Sequence, residues 1–256
     1  MKVVILAGGL GSRLGNVTEL IPKPMVEVGG KPILWHIMKI YSYYGYNEFV
    51  IALGYKANVI KNYFINLQHY NCDLTLNTKT GEIIFNNDDS EDWKVTLVDT
   101  GVNTLKGGRI KRLEKYLDDV NFLTYGDGVA NLNIDQLLNF HQSHGKVITI
   151  SGVKPPSRFG ELVEKEGKVI SFEEKPQASK GLINGGFMIF NKALLEKLTV
   201  NEDCDFEFGP LEELASQGEV MTYKHDGFWE CADTIRDVNH LNRLWSTGKA
   251  KWKLWD

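Results

Sequence analysis

Residues 3–6, Val-Val-Ile-Leu, form a short unbroken apolar run, and a glycine-rich segment from Ala7 to Gly11 follows it directly. Such a run is typical of a strand buried on both faces, as in a parallel sheet covered by helices. Three glycines in four positions let the chain turn sharply and let a large anionic group approach the backbone N–H groups. The combination favours an α/β fold with a ligand loop at the carboxyl end of a buried strand.

Polar and cationic side chains stand close behind this glycine loop. Ser12 and Arg13 supply a hydroxyl and a cationic fork, and Lys23 lies between two prolines. Backbone amides and spaced cations together indicate a polyphosphate site. The loop is not a P-loop, because GxxxxGK[ST] is absent, and a dinucleotide fingerprint would need glycine where Leu14 stands. Taken alone, the glycines are equally compatible with a tight turn.

The composition excludes several classes of partner. The chain has 256 residues and a net charge of −4 without a basic run, which disfavours nucleic acid. Its cysteines, at positions 72, 204 and 231, are too far apart for a CxxC zinc site or a disulfide framework. We find no signal peptide before the first strand and no apolar run of membrane-spanning length. These features predict a cytoplasmic protein without a membrane partner.

Hydrophobic periodicity predicts one domain over residues 1–256, built as an α/β fold on one mixed sheet. Residues 1–130 are predicted to form a nucleotide-binding half and residues 131–256 a less regular second half. Strands are predicted at 49–53, 121–125, 146–153, 183–191 and 220–223, with a hairpin around 166–167 and shorter extended pieces between 73 and 100. Helices are predicted at 31–44, 56–67, 107–117, 134–144, 191–198 and 205–217, with a last one from about 233.

Two aspartates are candidate metal ligands. Asp127 lies between glycines after a predicted strand, at the sheet edge where the glycine loop is also expected. Mg²⁺ is usually held by one or two carboxylates together with phosphate oxygens and water. Asp233 is the candidate for the second carboxylate. Either could instead have a local role, Asp127 in a turn and Asp233 at a helix start. Asp237 is predicted to be a first-turn helix charge.

Two other segments are candidates for contact with a second, sugar-like substrate. Lys175, in Glu-Lys-Pro, could meet an anion or could be solvated, and the glycines after Asn184 mark a bulge or a close ligand approach. No Ser/His/Asp or Cys/His arrangement suggests a nucleophile. Histidines 36 and 240 and the tryptophans at 245, 252 and 255 are predicted to be packing residues, although the tryptophans could also form an oligomer surface.

The longer string GGxG[ST]RLxxxTxxxPKPM at residues 8–25 resembles the signature of the sugar-1-phosphate nucleotidyltransferases. The segments WKVTLVDTG (93–101), GGR (107–109) and GFWECADTIRD (227–237) narrow the resemblance to the branch that uses CTP and glucose 1-phosphate. The resemblance implies a Rossmann-like, mostly parallel sheet flanked by helices. It also implies Mg²⁺-assisted formation of CDP-glucose and pyrophosphate for dideoxysugar and O-antigen synthesis. Relatives of this branch are homo-oligomers, including hexamers.

The resemblance also implies roles for individual residues. Arg13 and Lys23 are the expected catalytic residues, and Asp127 and Asp233 are the expected Mg²⁺ ligands. The residues expected to bind the nucleotide or the sugar phosphate are Leu6, Ala7, Gly8, Gly9, Leu10, Gly11, Ser12, Thr104, Arg109, Gly126, Glu174, Lys175, Asn184 and Gly186.

Three alternatives stay open from the sequence. A transferase that uses UTP or dTTP is the nearest, because only the segment around 98–112 and the resemblance argue for CTP. A non-catalytic subunit that binds nucleotide sugars is a second, although the arginine, lysine and carboxylates that such a subunit would lack are present. A dinucleotide-dependent oxidoreductase is the third, and Leu14 argues against it.

Overall fold

The computed structural model describes residues 1–11, 14–15, 20–87, 90–154, 161–173 and 181–255. Within them, the main sheet has seven strands: β1 (Val3–Leu6), β4 (Glu48–Leu53), β7 (Lys94–Asp99), β8 (Val120–Tyr125), β10 (Ile148–Val153), β13 (Ile183–Asn191) and β14 (Val220–His225). Shorter pairs are formed by β2 (Glu27–Val28) with β3 (Lys31–Pro32), β5 (Leu74–Leu76) with β6 (Ile83–Phe85), β9 (Gly128–Ala130) with β15 (Trp229–Cys231), and β11 (Glu161–Lys165) with β12 (Lys168–Glu173).

The main sheet has the order β14-β10-β13-β8-β1-β4-β7. β1 is parallel to β4 and β8, β4 is parallel to β7, and β10 is parallel to β14. Only β13 runs antiparallel to its neighbours β8 and β10. The predicted mixed, mostly parallel α/β sheet is confirmed, and strands from both sides of residue 130 belong to it.

Among the described residues, the α-helices are α1 (Ile33–Tyr43), α2 (Ala57–Ile65), α3 (Leu67–Asn71), α4 (Lys106–Arg112), α5 (Ile134–His144), α6 (Glu212–Ser216) and α7 (Ile235–Ser246). The sheet separates two hydrophobic cores. In β1, Val3 and Ile5 belong to one core and Val4 and Leu6 to the other, because successive strand side chains point to opposite faces. All four are buried, which explains why this run contains no polar residue.

Three predicted helices differ from the structure. α4 ends at Arg112, and a 3₁₀ turn replaces its predicted continuation. The predicted helix at 191–198 is a 3₁₀ helix over Lys192–Lys197. The one at 205–217 begins with an irregular π-type turn, because Gly209 has a φ of +95° and Pro210 has no N–H for the helical ladder.

An aromatic cluster anchors the carboxyl-terminal segment to α1. The Trp252 side chain is fully buried, and its indole N–H donates to His36 Nδ1 at 3.3 Å. Burial lowers the pKa of His36 to about 4, and its Nε2 bonds the Val28 carbonyl at 2.8 Å. His36 is therefore neutral near pH 7, and the prediction that His36 is a packing residue is confirmed. No helix in the described ranges is long and apolar enough to cross a membrane.

Candidate active site

The glycine loop and Asp127 lie at one edge of the sheet. β1 and β8 are adjacent and parallel, and Leu6 pairs in register with Tyr125 at their carboxyl ends. The residues that follow each strand, from Ala7 onward and from Gly126 onward, therefore leave the sheet side by side. Ligands of open α/β sheets bind beyond such ends, so the predicted location of the site is consistent with the fold.

Lys23 reaches this edge through a single 3₁₀ turn, Lys23–Met25. Its neighbour Pro24 packs directly over Gly126, where a Cβ atom would lie 2.9 Å from Pro24 Cγ and 3.0 Å from the Leu6 carbonyl oxygen. Only glycine allows this approach without displacing backbone. Gly126 therefore brings the lysine turn close to the aspartate that follows it.

Asp233 lies near the other end of the chain. The pairing of β15 with β9 brings it close to Asp127. The Ala232 N–H donates to the Asp127 carbonyl at 2.8 Å and fixes the two aspartate-bearing segments together. The cap of α7 is Thr234, which forms a capping box with Asp237. Asp233 is thus not the helix cap, and Asp237 has the local helix role predicted for it.

The ammonium group of Lys23 bridges the two carboxylates. Its Nζ lies 2.5 Å from Asp127 Oδ2 and also contacts Asp233 Oδ1. The Lys23 and Asp233 side chains are each 14% exposed, so solvent screens this cluster weakly. Burial alone would lower the pKa of Lys23, but Asp127 and Asp233 outweigh it and raise that pKa. Lys23 is therefore a fixed positive charge at neutral pH.

The two carboxylates are suited to a divalent cation. Two oxygens that contact one nitrogen atom are close enough to bind one metal ion, and hard oxygen ligands are what Mg²⁺ prefers. No group of three or more His, Cys, Asp or Glu residues in the described part of the chain could hold a metal. Two carboxylates leave the remaining positions of an octahedron for phosphate oxygens and water, which is the usual way that proteins hold Mg²⁺.

The Cys231 thiol, two residues before Asp233, is not a nucleophile. Burial and the nearby Asp233 and Asp127 carboxylates raise the pKa of Cys231 to about 12. The thiolate, which is the reactive form, is therefore scarce at neutral pH.

Arg109 ties the loops of the nucleotide-binding half together. Its guanidinium donates to the Gly8 carbonyl at 3.0 Å, to the Leu53 carbonyl at 3.0 Å and to the Gly101 carbonyl at 2.7 Å, among five bonds to protein oxygens. It is 3% exposed, and its packing leaves no room for a Cβ at Gly8. Thr104 is also buried and accepts from Arg112. That either side chain contacts a substrate stays a prediction. What the structure shows is that both form hydrogen bonds with other protein groups.

The residues of the glycine loop differ in exposure. Leu6 and Ala7 are buried at the end of β1, whereas Gly9 and Leu10 are exposed. Gly11 has a φ of +65°, a conformation that favours glycine. Exposed backbone at a strand end can receive an anion, and buried Leu6 and Ala7 could contribute only backbone atoms. Ser12 and Arg13 lie outside the described residues.

On the other side of Asp127, the gap in β13 is confirmed as a bulge. The pairing with β10 shifts register between Ile150 and Gly152, and Gly186 has a φ of +80°. Asn184 accepts from the Gly186 N–H at 2.8 Å and donates to the Tyr125 hydroxyl at 3.0 Å. Glu174 and Lys175 lie outside the described residues.

The sequence did not predict a role for two residues in this region, Tyr125 and Glu207. The Tyr125 hydroxyl donates to Glu207 Oε1 at 2.6 Å. Tyr125 could have been suspected because it directly precedes Gly126 and Asp127. Nothing in the local pattern around Glu207 signals the contact, because it depends on how a distant irregular turn packs.

The sequence profile of the family described as "Nucleotidyl transferase" matches residues 2–246. The chain therefore belongs to the nucleotidyl transferase family. Among its relatives, the "Glucose-1-phosphate cytidylyltransferase" of Salmonella typhimurium is 49% identical over the full length of both chains.

Two further relatives are similarly informative. The "Probable glucose-1-phosphate cytidylyltransferase" of Bacillus subtilis is 45% identical, again over both full lengths. Among solved structures, HddC from Yersinia pseudotuberculosis complexed with GMP-PN is 26% identical with a TM-score of 0.67, and the match covers 95% of this chain and 99% of that one. These likenesses extend across the whole sheet and both segments that bear the aspartates.

Proposed function

We propose that the protein transfers the cytidylyl group of CTP to α-D-glucose 1-phosphate, giving CDP-glucose and pyrophosphate. The observation that carries the proposal is the cluster of Lys23, Asp127 and Asp233 at the carboxyl edge of the sheet. The choice of CTP and glucose 1-phosphate is supported by full-length relatives of 45–49% identity that are named for that reaction.

The chemistry is a direct displacement at the α-phosphorus of the nucleotide. The attacking oxygen belongs to a phosphate that is already ionised at neutral pH, so the step needs no general base. This fits a cluster of one lysine and two aspartates that has no histidine in it, next to the protonated thiol of Cys231. The protein's main task is to bring two anions together in the right orientation.

Lys23 would stabilise the phosphates at the reacting centre, and Arg13 the departing pyrophosphate. Two unit charges at ~4 Å in an effective dielectric of ~20 interact by about 4 kcal/mol before desolvation, so a few such contacts matter greatly. The raised pKa of Lys23 keeps its charge in place throughout the neutral range. The glycine loop from Gly8 to Gly11 would bind the nucleotide through its backbone, and Asn184 and Gly186 would face the sugar phosphate.

We further propose that Asp127 and Asp233 hold Mg²⁺. Their two oxygens already share one cation, the Lys23 ammonium group, and their donor type suits a hard metal ion. When bound, Mg²⁺ would neutralise charge on the nucleotide phosphates. The lysine and a metal cannot occupy the same position, so Lys23 would have to turn away from at least one carboxylate.

The nearest alternative is the same reaction with UTP or dTTP. The residues expected to select the base, Thr104 and Arg109, are bonded to protein groups, and this gives no support for one pyrimidine over another. A pyrophosphate-release assay with glucose 1-phosphate and each of CTP, UTP, dTTP and GTP tests the assignment. CTP should be used much faster than the others.

We also propose that the protein forms a homo-oligomer through the β5–β6 hairpin. Leu74, Leu76 and Ile83 are exposed on one face of these two short strands, because Leu76 pairs with Ile83 and residues two apart in a strand share a face. Ile84 is exposed on the opposite face. A contiguous apolar patch of this kind typically marks an interface, and an isolated hairpin is marginally stable without packing. A hexamer is what the resemblance implies.

A cytoplasmic location belongs to the same proposal. The cysteines at 72, 204 and 231 are free thiols, and free thiols persist in a reducing compartment. Localisation of the tagged protein by cell fractionation tests this directly.

A further inference from the structure

Glu207 ends a chain of hydrogen bonds that starts at the bulge in β13. The Gly186 N–H donates to Asn184 Oδ1 at 2.8 Å, and the Asn184 amide nitrogen donates to the Tyr125 hydroxyl at 3.0 Å. The Tyr125 hydroxyl donates to Glu207 Oε1 at 2.6 Å, and Lys106 pairs with the same oxygen. Four segments that are far apart in sequence thus meet through one carboxylate.

All the donors in this series of hydrogen bonds point towards Glu207. Hydrogen bonds arranged in one direction polarise one another, and a hydroxyl that donates to a carboxylate forms one of the stronger and shorter types. A phenol keeps its proton at neutral pH, so Tyr125 stays a donor to Glu207.

The chain fixes the orientation of the Asn184 amide. Because Oδ1 accepts from Gly186 and the nitrogen donates to Tyr125, a flipped amide would place like groups against each other at both ends. By its bonding capacity, Asn184 keeps one N–H and one lone pair for a ligand. Tyr125 also constrains the bulge, since a Cβ at Gly186 would lie 2.8 Å from its ring.

Glu207 is poorly explained by stability alone. Its Oε2 is buried and has no hydrogen-bond partner among the described residues. A buried acceptor without a donor lowers stability, and a charged one does so more strongly. A neutral glutamine would remove the buried unpaired charge but would lose the ion pair with Lys106, so stability alone does not select the carboxylate at this position.

We propose that Glu207 is a positioning residue for the sugar 1-phosphate, acting through Tyr125 and Asn184. It holds the Asn184 amide and the glycine bulge of β13 in the arrangement that receives the sugar. This inference rests on the proposed function, because it concerns the substrate of the same site. The nucleotide, bound by the glycine loop that follows β1, would be little affected by Glu207.

The test compares steady-state kinetics of the full chain with Glu207→Gln, Tyr125→Phe and the double variant. Each single variant should raise the KM for glucose 1-phosphate about tenfold, the effect of losing one charge-assisted hydrogen bond, while the KM for CTP changes less than about twofold. The double variant should be no worse than the worse single one. The thermal midpoint of Glu207→Gln should lie within a few degrees of that of the wild type, which shows that the variant is folded.

Glu213→Gln is the matched control, because Glu213 pairs with Lys197 at 2.7 Å on an exposed surface. It should leave both KM values unchanged. An unchanged sugar KM in Glu207→Gln, or an equal rise in both KM values, would overturn the role of Glu207. If that variant does not fold, an unchanged sugar KM in Tyr125→Phe overturns it equally. A wild type that makes no sugar nucleotide would instead overturn the proposed function.

Discussion

Lys23 and Asp127 are separated by 104 positions in the sequence, yet the lysine ammonium lies 2.5 Å from the aspartate carboxylate. The contact is possible because Pro24 packs over a glycine at position 126 and because β1 and β8 are adjacent. Asp233, contributed by a segment near the other end of the chain, completes the cluster. The predicted catalytic lysine and both predicted metal ligands therefore meet at one point.

Replacing Lys23 should abolish most activity and leave the fold intact. Lys23→Ala removes a buried positive charge from the place where phosphates are expected to react, so turnover should fall by at least about 10²-fold. Asp127→Ala should have an effect of similar size. Circular dichroism should show that both variants are folded.

Lys39→Ala is a suitable control for Lys23. Lys39 pairs with Glu91 at 2.9 Å, and both side chains are mostly buried, but the pair lies away from the sheet edge. It should retain turnover within a few-fold of the wild type. Turnover near the wild-type rate in Lys23→Ala would refute the catalytic role.

The same ion pairs predict how metal binding responds to Lys23. Because its ammonium group occupies the space between the two carboxylates, Lys23→Met should bind Mn²⁺ about tenfold or more tightly than the wild type in the absence of nucleotide. Titration of free Mn²⁺ by electron paramagnetic resonance measures this without any turnover. Asp127→Asn should bind less Mn²⁺ than the wild type. Equal affinities in Lys23→Met and the wild type would show that the lysine and the metal do not compete.

Much of this arrangement was predictable from the sequence, because it depends on local patterns. The apolar run of β1, the stripe of α1 and the glycines around Asp127 each identify their own element. The parallel pairing then places the strand ends together. The dual interpretation of Asp233 could not be resolved from the sequence, because Asp233 and Thr234 are adjacent residues that could both cap a helix. In the structure Thr234 is the cap.

Other features depend on tertiary packing and could not be predicted from the sequence. The sequence shows that Arg109 follows two glycines, but it cannot show that its guanidinium satisfies four carbonyls from three separate segments. Glu207 lies on an irregular turn whose conformation depends on Gly209, and its partner Tyr125 is 82 positions away. Such long-range contacts leave no periodic pattern in the sequence.

Arg109 should be required for stability as well as for any role in binding. Arg109→Met would leave several buried carbonyl oxygens without donors, so the free energy of unfolding should fall by at least about 2 kcal/mol. Urea unfolding followed by fluorescence measures the change. The exposed Arg236 provides the control, and Arg236→Met should alter stability by no more than about 0.5 kcal/mol. Equal effects of the two substitutions would refute this account of Arg109.

The β5–β6 hairpin should control assembly. Ile83→Glu places a charge in the exposed apolar face that Ile83 shares with Leu74 and Leu76, so a homo-oligomer formed there should dissociate into smaller species. Light scattering coupled to size exclusion reports the mass. Val200→Glu, at a comparably exposed site outside the hairpin, should leave the mass unchanged. An unchanged mass in both variants would place any interface elsewhere.

We propose that this site transfers a cytidylyl group to glucose 1-phosphate. The most direct measurement follows pyrophosphate release and sugar-nucleotide formation with glucose 1-phosphate, Mg²⁺ and each of CTP, UTP, dTTP and GTP in turn. We expect stoichiometric pyrophosphate and CDP-glucose from CTP, with no comparable rate from the other nucleotides. Faster reaction with UTP or dTTP would contradict the assignment of CTP, and no pyrophosphate with any nucleotide would contradict the proposed reaction itself.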